Sequence, residues 1–207
     1  PTRAALMTGK SPARLHLTQW IPGNNNKNKP LHDPPFAKRL PLSERTIAEA
    51  LKAAGYKTGH FGKWHLAEHG AEADPVNHGF DVNYGGGNRG HPPGYFADDQ
   101  GRHHLPNLNA VEPGSYLTDN IADVAVRFIK NSVDKNQKFL AYVAPYSVHS
   151  PLQGKPEYVA YFKRKDPSKR DSALHYAAMI KSMDDALGKI LDVLEEEGIA
   201  SNTLVIF

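Results

Sequence analysis

Three times along this chain a helical pattern of apolar residues is followed closely by a short apolar run. That order, helix then strand, constrains the fold more than any other feature. In the first unit Ser43 is placed to cap a helix whose apolar face is Ile47, Ala48, Leu51 and Ala54. Gly55 closes that helix and residues 56–61 read as a strand. In the second, Ile121, Val124, Ala125, Phe128 and Ile129 recur at helical spacing, and Phe139–Ala144 reads as a strand apolar on both faces. In the third, Ile180, Met183, Leu187, Ile190, Leu191 and Leu194 form a stripe that ends at Gly198, and residues 203–207 read as a strand. Alternating helices and doubly buried strands predict an α/β fold, a largely parallel sheet sandwiched by helices.

The segments between these units differ in character. Residues 23–39 are rich in Asn, Lys and Pro, and the run Asn24, Asn25, Asn26 with Lys27 and Lys29 reads as a solvated loop tip. Residues 74–113 are rich in Gly, His and Pro and carry little periodicity. Loops this long in a compact domain are usually functional or disordered. The 207 residues suffice for one sizeable α/β core or two small domains. The net charge of +3 arises from basic residues interleaved with acids, without the basic, aromatic-studded stripe of a nucleic-acid binder. There is no apolar run long enough to cross a bilayer. The chain has no cysteine, which excludes disulfides and cysteine-bound zinc within it.

In parallel α/β sheets ligands bind beyond the carboxyl ends of the strands. After the first strand stands Gly-Lys-Trp-His, with Lys63 and His65, and after the second stands Pro-Tyr-Ser-Val-His-Ser-Pro, with His149. An extended backbone sends Lys63 and His65 to one side and Trp64 to the other, into packing. Taken singly, Lys63 also reads as a solvent lysine, His65 as a loop histidine bonded to backbone, and His149 as filler of a packing gap. Their convergence on one sheet edge favours a site. His175 reads as structural on a helix face, and His32, His69 and His78 as loop residues. His103 and His104 are an unsupported metal pair, since no further ligand stands at metal spacing.

The chain opens with Pro-Thr-Arg-Ala-Ala-Leu-Met-Thr-Gly-Lys. Proline suits a first helical turn, residues 4–7 favour helix, and Gly9 is placed to end it. A helix start gathers free N–H groups and favours anions, and Arg3 adds a permanent cation. Taken alone, these ten residues read first as a capped surface helix with an ordinary arginine.

Four stretches together resemble the sulfatase family. Pro1, Arg3, Thr8 and Gly9 match the tail of its first signature, residues 55–65 resemble its second, and residues 142–153 resemble its histidine-bearing strand end. Residues 176–207 resemble the helix and strand that lead to its Asp-Asn metal ligands. The resemblance covers nearly the whole chain and is closest to bacterial arylsulfatase-A-like enzymes. It implies an alkaline-phosphatase-like fold, with residues 1–207 an internal part of one catalytic domain, cut at both ends. It also implies hydrolysis of carbohydrate or aryl sulfate monoesters. The nucleophile is then a formylglycine two positions before Pro1, installed by a sulfatase-maturing enzyme. A calcium or magnesium ion is implied, with ligands before Pro1 and after Phe207. By the same resemblance, Arg3 holds the nucleophile, Lys63 bridges it to a sulfate oxygen, His65 bonds the hydrated aldehyde and later takes a hydroxyl proton, and His149 protonates the leaving alcohol. Asn88, Arg89 and His91, in the loop over residues 85–105, are candidate substrate contacts; a loop held only by its own turns is the other reading. Export to the periplasm or outside the cell is the family pattern. A phosphonate or phosphodiester hydrolase, or an inactive glycan-binding homologue, remain alternatives.

Overall fold

A computed structural model describes residues 1–24 and 28–207, so Asn25, Asn26 and Lys27 of the expected loop tip lie outside the described residues. Five α-helices and three strands follow in chain order: α1 (Thr2–Thr8), α2 (Ile47–Ala53), β1 (Lys57–Gly62), β2 (Val82–Tyr84), α3 (Leu117–Asp134), β3 (Phe139–Ala144), α4 (Pro156–Lys165) and α5 (Asp171–Glu196). The strands form one wholly parallel sheet in the order β2-β1-β3. β1 is therefore central, with Gly59 flanked by Val82 and Ala141, and Phe61 by Tyr84 and Val143.

Alternation along the strands divides the interior into two cores. Phe61 faces the first, where α3 and α5 supply Ile121, Val124, Ala125, Phe128, Ile129, Met179, Val193 and Leu194. Gly59 faces the same way, and its missing Cβ makes room for the rings of Phe61 and Phe128, which would lie 2.6 Å and 3.1 Å from that atom. On the opposite face, Leu140 and Tyr142 of β3 meet a second core of Ala4, Met7, Leu17, Leu40, Ala48, Trp64, Leu66 and Phe80. A sheet buried on both faces by helices is the architecture the helix-strand alternation predicts.

Several local expectations are corrected. Thr46, not Ser43, caps α2. Its side chain accepts from Glu49 N–H while the Glu49 carboxylate accepts from Thr46 N–H, a capping box that Ser43 is three residues too early to make. Within α2 only Ala48 is buried, and Ile47 is exposed. The buried face of α5 matches the predicted stripe only toward its end, where Leu194 is buried and Ile190 packs against the first core. It runs through Leu174, Ala178, Met179, Ser182, Ala186, Val193 and Leu194, while Ile180 and Leu191 are exposed. Small residues win the inward positions because they permit close approach: a Cβ on Gly154 would already overlap Ala178. The predicted strand over 203–207 does not form. Its backbone pairs with no strand among the described residues, and Leu204, Ile206 and Phe207 stand exposed. The long segment after residue 74, conversely, carries β2 and a short 3-10 helix, Pro75–His78. His78 is thus no loop histidine: it is fully buried, its ring 5.1 Å from that of Trp64.

Candidate active site

The site grows from the carboxyl end of β1. Gly62 holds φ +104°, and any Cβ there would overlap the Ala144 carbonyl oxygen. Only glycine lets β1 turn off the sheet while Lys63 N–H still donates to that carbonyl, at 2.6 Å. Trp64 then points into the second core, completely buried, with its indole N–H donated to the Glu72 carbonyl at 3.0 Å. Lys63 and His65 are left half-buried at the sheet edge, as the alternation predicts.

Arg3 reaches this turn from α1. Its Nε donates to the Trp64 carbonyl at 2.8 Å, which ties the guanidinium to the backbone between Lys63 and His65. Burial lowers the basicity of Arg3 and pushes the Lys63 ammonium down to about 8, with the Arg3 charge adding to the second effect. Neither Arg3 nor Lys63 forms an ion pair with a carboxylate among the described residues. Two half-buried cations facing no anion favour an anionic ligand.

His65 is neutral over most of the pH range. Burial drives it down to about 4, and the Lys63 and Arg3 charges assist against a bond to the Ile21 carbonyl. That bond is 2.6 Å from Nε2, and a carbonyl can only accept, so Nε2 carries the proton and Nδ1 is the acceptor nitrogen. The loop after β2 covers the ring. Gly87 O accepts from His65 N–H at 2.8 Å, and a Cβ on Gly90 would come within 2.6 Å of the imidazole.

The same loop reaches His149, beyond the end of β3. The His91 and His149 rings stack with centroids 5.7 Å apart. His149 is exposed, and its Nδ1 lies 3.1 Å from the Ser150 carbonyl. Arg89 is exposed and its charge is felt at the Tyr146 hydroxyl. Asn88 is turned the other way, donating to the Glu68 carbonyl at 3.1 Å. Arg3, Lys63 and His65 thus form one group, and His91 and His149 a second, joined by the loop that carries Asn88 and Arg89. His103 and His104 do not make a metal pair: His103 is buried against Asn120, and His104 meets Asp98 at 3.0 Å. No group of three or more His, Asp or Glu side chains is arranged to hold a metal among the described residues.

Sequence reading passed over His60, at the centre of β1. It lies behind the turn, fully buried among Trp64, Phe80 and Tyr142, its ring centroid 5.3–5.4 Å from each of theirs. Burial pushes it to about 3 against a bond its Nδ1–H donates to Asn83 Oδ1, so it is a neutral packing element behind Lys63. Its strand position gave no signal beyond a polar residue in an apolar run.

The family model for sulfatases matches residues 1–207. The chain belongs to the sulfatase family. It is 34% identical over 226 residues to an arylsulfatase of Hemicentrotus pulcherrimus, with 100% of this chain and 37% of that protein covered. It is 28% identical over 222 residues to the N-acetylgalactosamine-6-sulfatase of Homo sapiens, covering 100% of this chain and 39% of that protein. Among solved structures, Ps i-CgsB superposes with a TM-score of 0.72 at 28% identity, over 96% of this chain and 45% of that one. The chain therefore spans about two-fifths of the length of the curated relatives it matches. The α/β sheet with helices on both faces is the alkaline-phosphatase-like fold of sulfatases.

Proposed function

We propose that the protein carrying this chain hydrolyses sulfate monoesters of sugars or aryl alcohols. The observation that carries the reading is the pair of half-buried cations, Arg3 and Lys63, without a carboxylate partner among the described residues, beside the neutral, acceptor-bearing His65 in a sulfatase-family chain. Sugar esters are favoured by two relatives. One is named an N-acetylgalactosamine-6-sulfatase. The other, Ps i-CgsB, has been solved in complex with k-i-k-neocarrahexaose.

A formylglycine two positions before Pro1, installed by a maturing enzyme, would supply the attacking oxygen. The calcium or magnesium ion belongs, in this reading, to ligands outside residues 1–207. Export to the periplasm or beyond accompanies the reading. No helix among the described residues is long and apolar enough to cross a membrane.

This chain's own residues divide the remaining work. Arg3, its Nε held by the Trp64 carbonyl, turns its terminal nitrogens to the nucleophile's surroundings. Lys63 neutralises a sulfate oxygen, and the charge gathering on that oxygen as the ester cleaves strengthens the contact. His65 Nδ1 takes up a hydroxyl proton after the alcohol has left. In its imidazolium form His149 donates Nδ1–H to the Ser150 carbonyl and holds Nε2–H for the departing oxygen, which leaves a neutral ring with Nδ1–H still bonded. Arg89 and His91 line the approach, with His91 stacked on the proton donor, while Asn88 holds their loop to the Glu68 carbonyl.

The test is a series of sulfate esters of rising leaving-group pKa, assayed with the full-length protein. Lys63→Ala is expected to lower kcat/KM about 100- to 1,000-fold on every ester. His149→Ala is expected to cost more as the leaving group becomes poorer. Equal losses along the series would remove the proton-donor role from His149. Faster turnover of an aryl phosphodiester than of the matching sulfate would overturn the substrate class.

A further inference from the structure

Tyr95 offers nothing to the reacting atoms, yet it grips both ends of the segment that carries His149. Its side chain is fully buried. Its hydroxyl donates to the His149 carbonyl at 2.9 Å, and its backbone N–H donates to Gln153 Oε1 at 2.8 Å. The Tyr95 carbonyl accepts from the N–H of Leu117, the first residue of α3, at 2.7 Å. Tyr116 stacks on Tyr95 with centroids 5.7 Å apart and donates its hydroxyl to the Gln153 carbonyl at 2.7 Å. Two tyrosines therefore join a rigid helix start to the turn beyond β3.

The His149 ring has little else to place it. It is exposed, and among the described residues its ring meets Ser150, its neighbour in the chain, and His91, itself exposed. Where the imidazole sits is thus set by where its own backbone sits. Two bonds hold that backbone at the residue in question: His149 N–H donates to the Tyr146 carbonyl at 2.9 Å, and the Tyr95 hydroxyl donates to the His149 carbonyl, the one side-chain anchor of the pair. Burial also raises the Tyr95 pKa, which keeps the phenol a donor at every working pH.

We propose that Tyr95 is a positioning residue for His149, fixing through the His149 carbonyl the point from which the proton is delivered. The proposal rests on the reading of His149 as proton donor. In that step a nucleophile oxygen bonds to sulfur and the bond from sulfur to the ester oxygen breaks. The electron pair goes to the ester oxygen, the His149 Nε2 proton follows it, and a neutral alcohol departs. Proton delivery requires hydrogen-bond reach, about 2.6–3.2 Å. A displaced imidazole therefore harms esters that need the proton and spares those that leave readily as anions. A merely structural loss lowers all of them alike.

The experiment is Tyr95→Phe in the full-length protein, read on the same ester series beside the wild type and His149→Ala. Phenylalanine keeps the buried ring and deletes only the donor. Expected is a kcat loss of about tenfold on an alkyl or sugar sulfate, a part of the 100- to 10,000-fold that a general acid supplies. On a nitrophenyl sulfate the expected loss is under about twofold, with KM nearly unchanged on both, as for an interaction made only in the transition state. Gln153→Leu, which removes the acceptor for Tyr95 N–H, is expected to tilt the series the same way and serves if Tyr95→Phe fails to fold. A uniform loss along the series, or no loss in either variant, would overturn the proposal. A flat series for His149→Ala would overturn the proton-donor reading and Tyr95's role with it. A wild type inert toward every sulfate ester would overturn the sulfatase reading itself, and the wild-type measurement alone identifies that case.

Discussion

Lys63 and His65 sit two residues apart, and burial pushes both toward their neutral forms, with opposite consequences for catalysis. Lys63 is needed as a cation and titrates near 8, so it serves below that pH and fails above it. His65 is needed as a neutral acceptor and titrates near 4, so it serves above that pH and fails below it. With an activated aryl sulfate, whose leaving oxygen needs no proton, kcat/KM is expected to be flat between about 4 and 8 and to fall on either side. The ester stays a monoanion throughout, so both limbs belong to the protein. Lys63→Arg is expected to remove the alkaline limb, because a guanidinium keeps its charge. An alkaline limb that stays at its wild-type position in this variant would assign it to another group. That Lys63 and His65 stand at the end of β1, and His149 beyond β3, was legible in the sequence because a strand end followed by Lys or His says where a side chain must emerge. Tyr95 was not, since it acts on backbone carbonyls, which every residue has and no letter records.

At the scale of elements, β1 and β3 were legible because each is a run of six residues between a helix and a Gly- or Pro-bearing turn. β2 was not: three residues are too few to show a period. What pins so short a strand is Asp81, directly before it. Asp81 N–H donates to the Thr58 carbonyl at 2.8 Å, and its carboxylate accepts from Thr58 N–H at 2.9 Å and meets Lys52 at 2.9 Å and Lys57 at 3.5 Å. Burial would raise its pKa, but the Lys52 and Thr58 bonds and the Lys52 and Lys57 charges outweigh it and hold the carboxyl at about 2. The folded pKa thus lies below the ordinary 3.8. The stabilisation is present above about pH 4 and is lost as pH falls toward 2. Asp81→Asn is expected to lower Tm at neutral pH and to flatten the decline of Tm between pH 4 and 2. A variant whose Tm still falls as steeply as the wild type's over that interval would show that another carboxylate governs acid unfolding. The exposed 203–207 segment teaches the converse lesson. Its apolar letters carry strand propensity, but a strand exists only where a neighbour takes its hydrogen bonds, and propensity cannot name the neighbour.

For the molecule as a whole, the sheet separates two cores with different duties. The core under α3 and α5 holds the sheet to its helices, while the core under α1 and α2 also carries the site, because Trp64 stands in it between Lys63 and His65. Stability should therefore be shared between the cores and activity should not. Ile121→Val, in the first, is expected to cost about 0.5–1.5 kcal/mol and to leave kcat/KM within about twofold. Trp64→Phe, in the second, is expected to cost about 1–3 kcal/mol, through lost packing and an abandoned Glu72 carbonyl. It is also expected to lower kcat/KM about tenfold or more, since the Trp64 carbonyl anchors Arg3 and a small displacement of reacting groups is costly. Urea unfolding of the double variant separates the duties. The two stability losses are expected to add within about 0.5 kcal/mol, as for sites with no shared partner. A larger coupling would mean that the sheet transmits packing strain from one face to the other, and Ile121→Val would then lower activity as well.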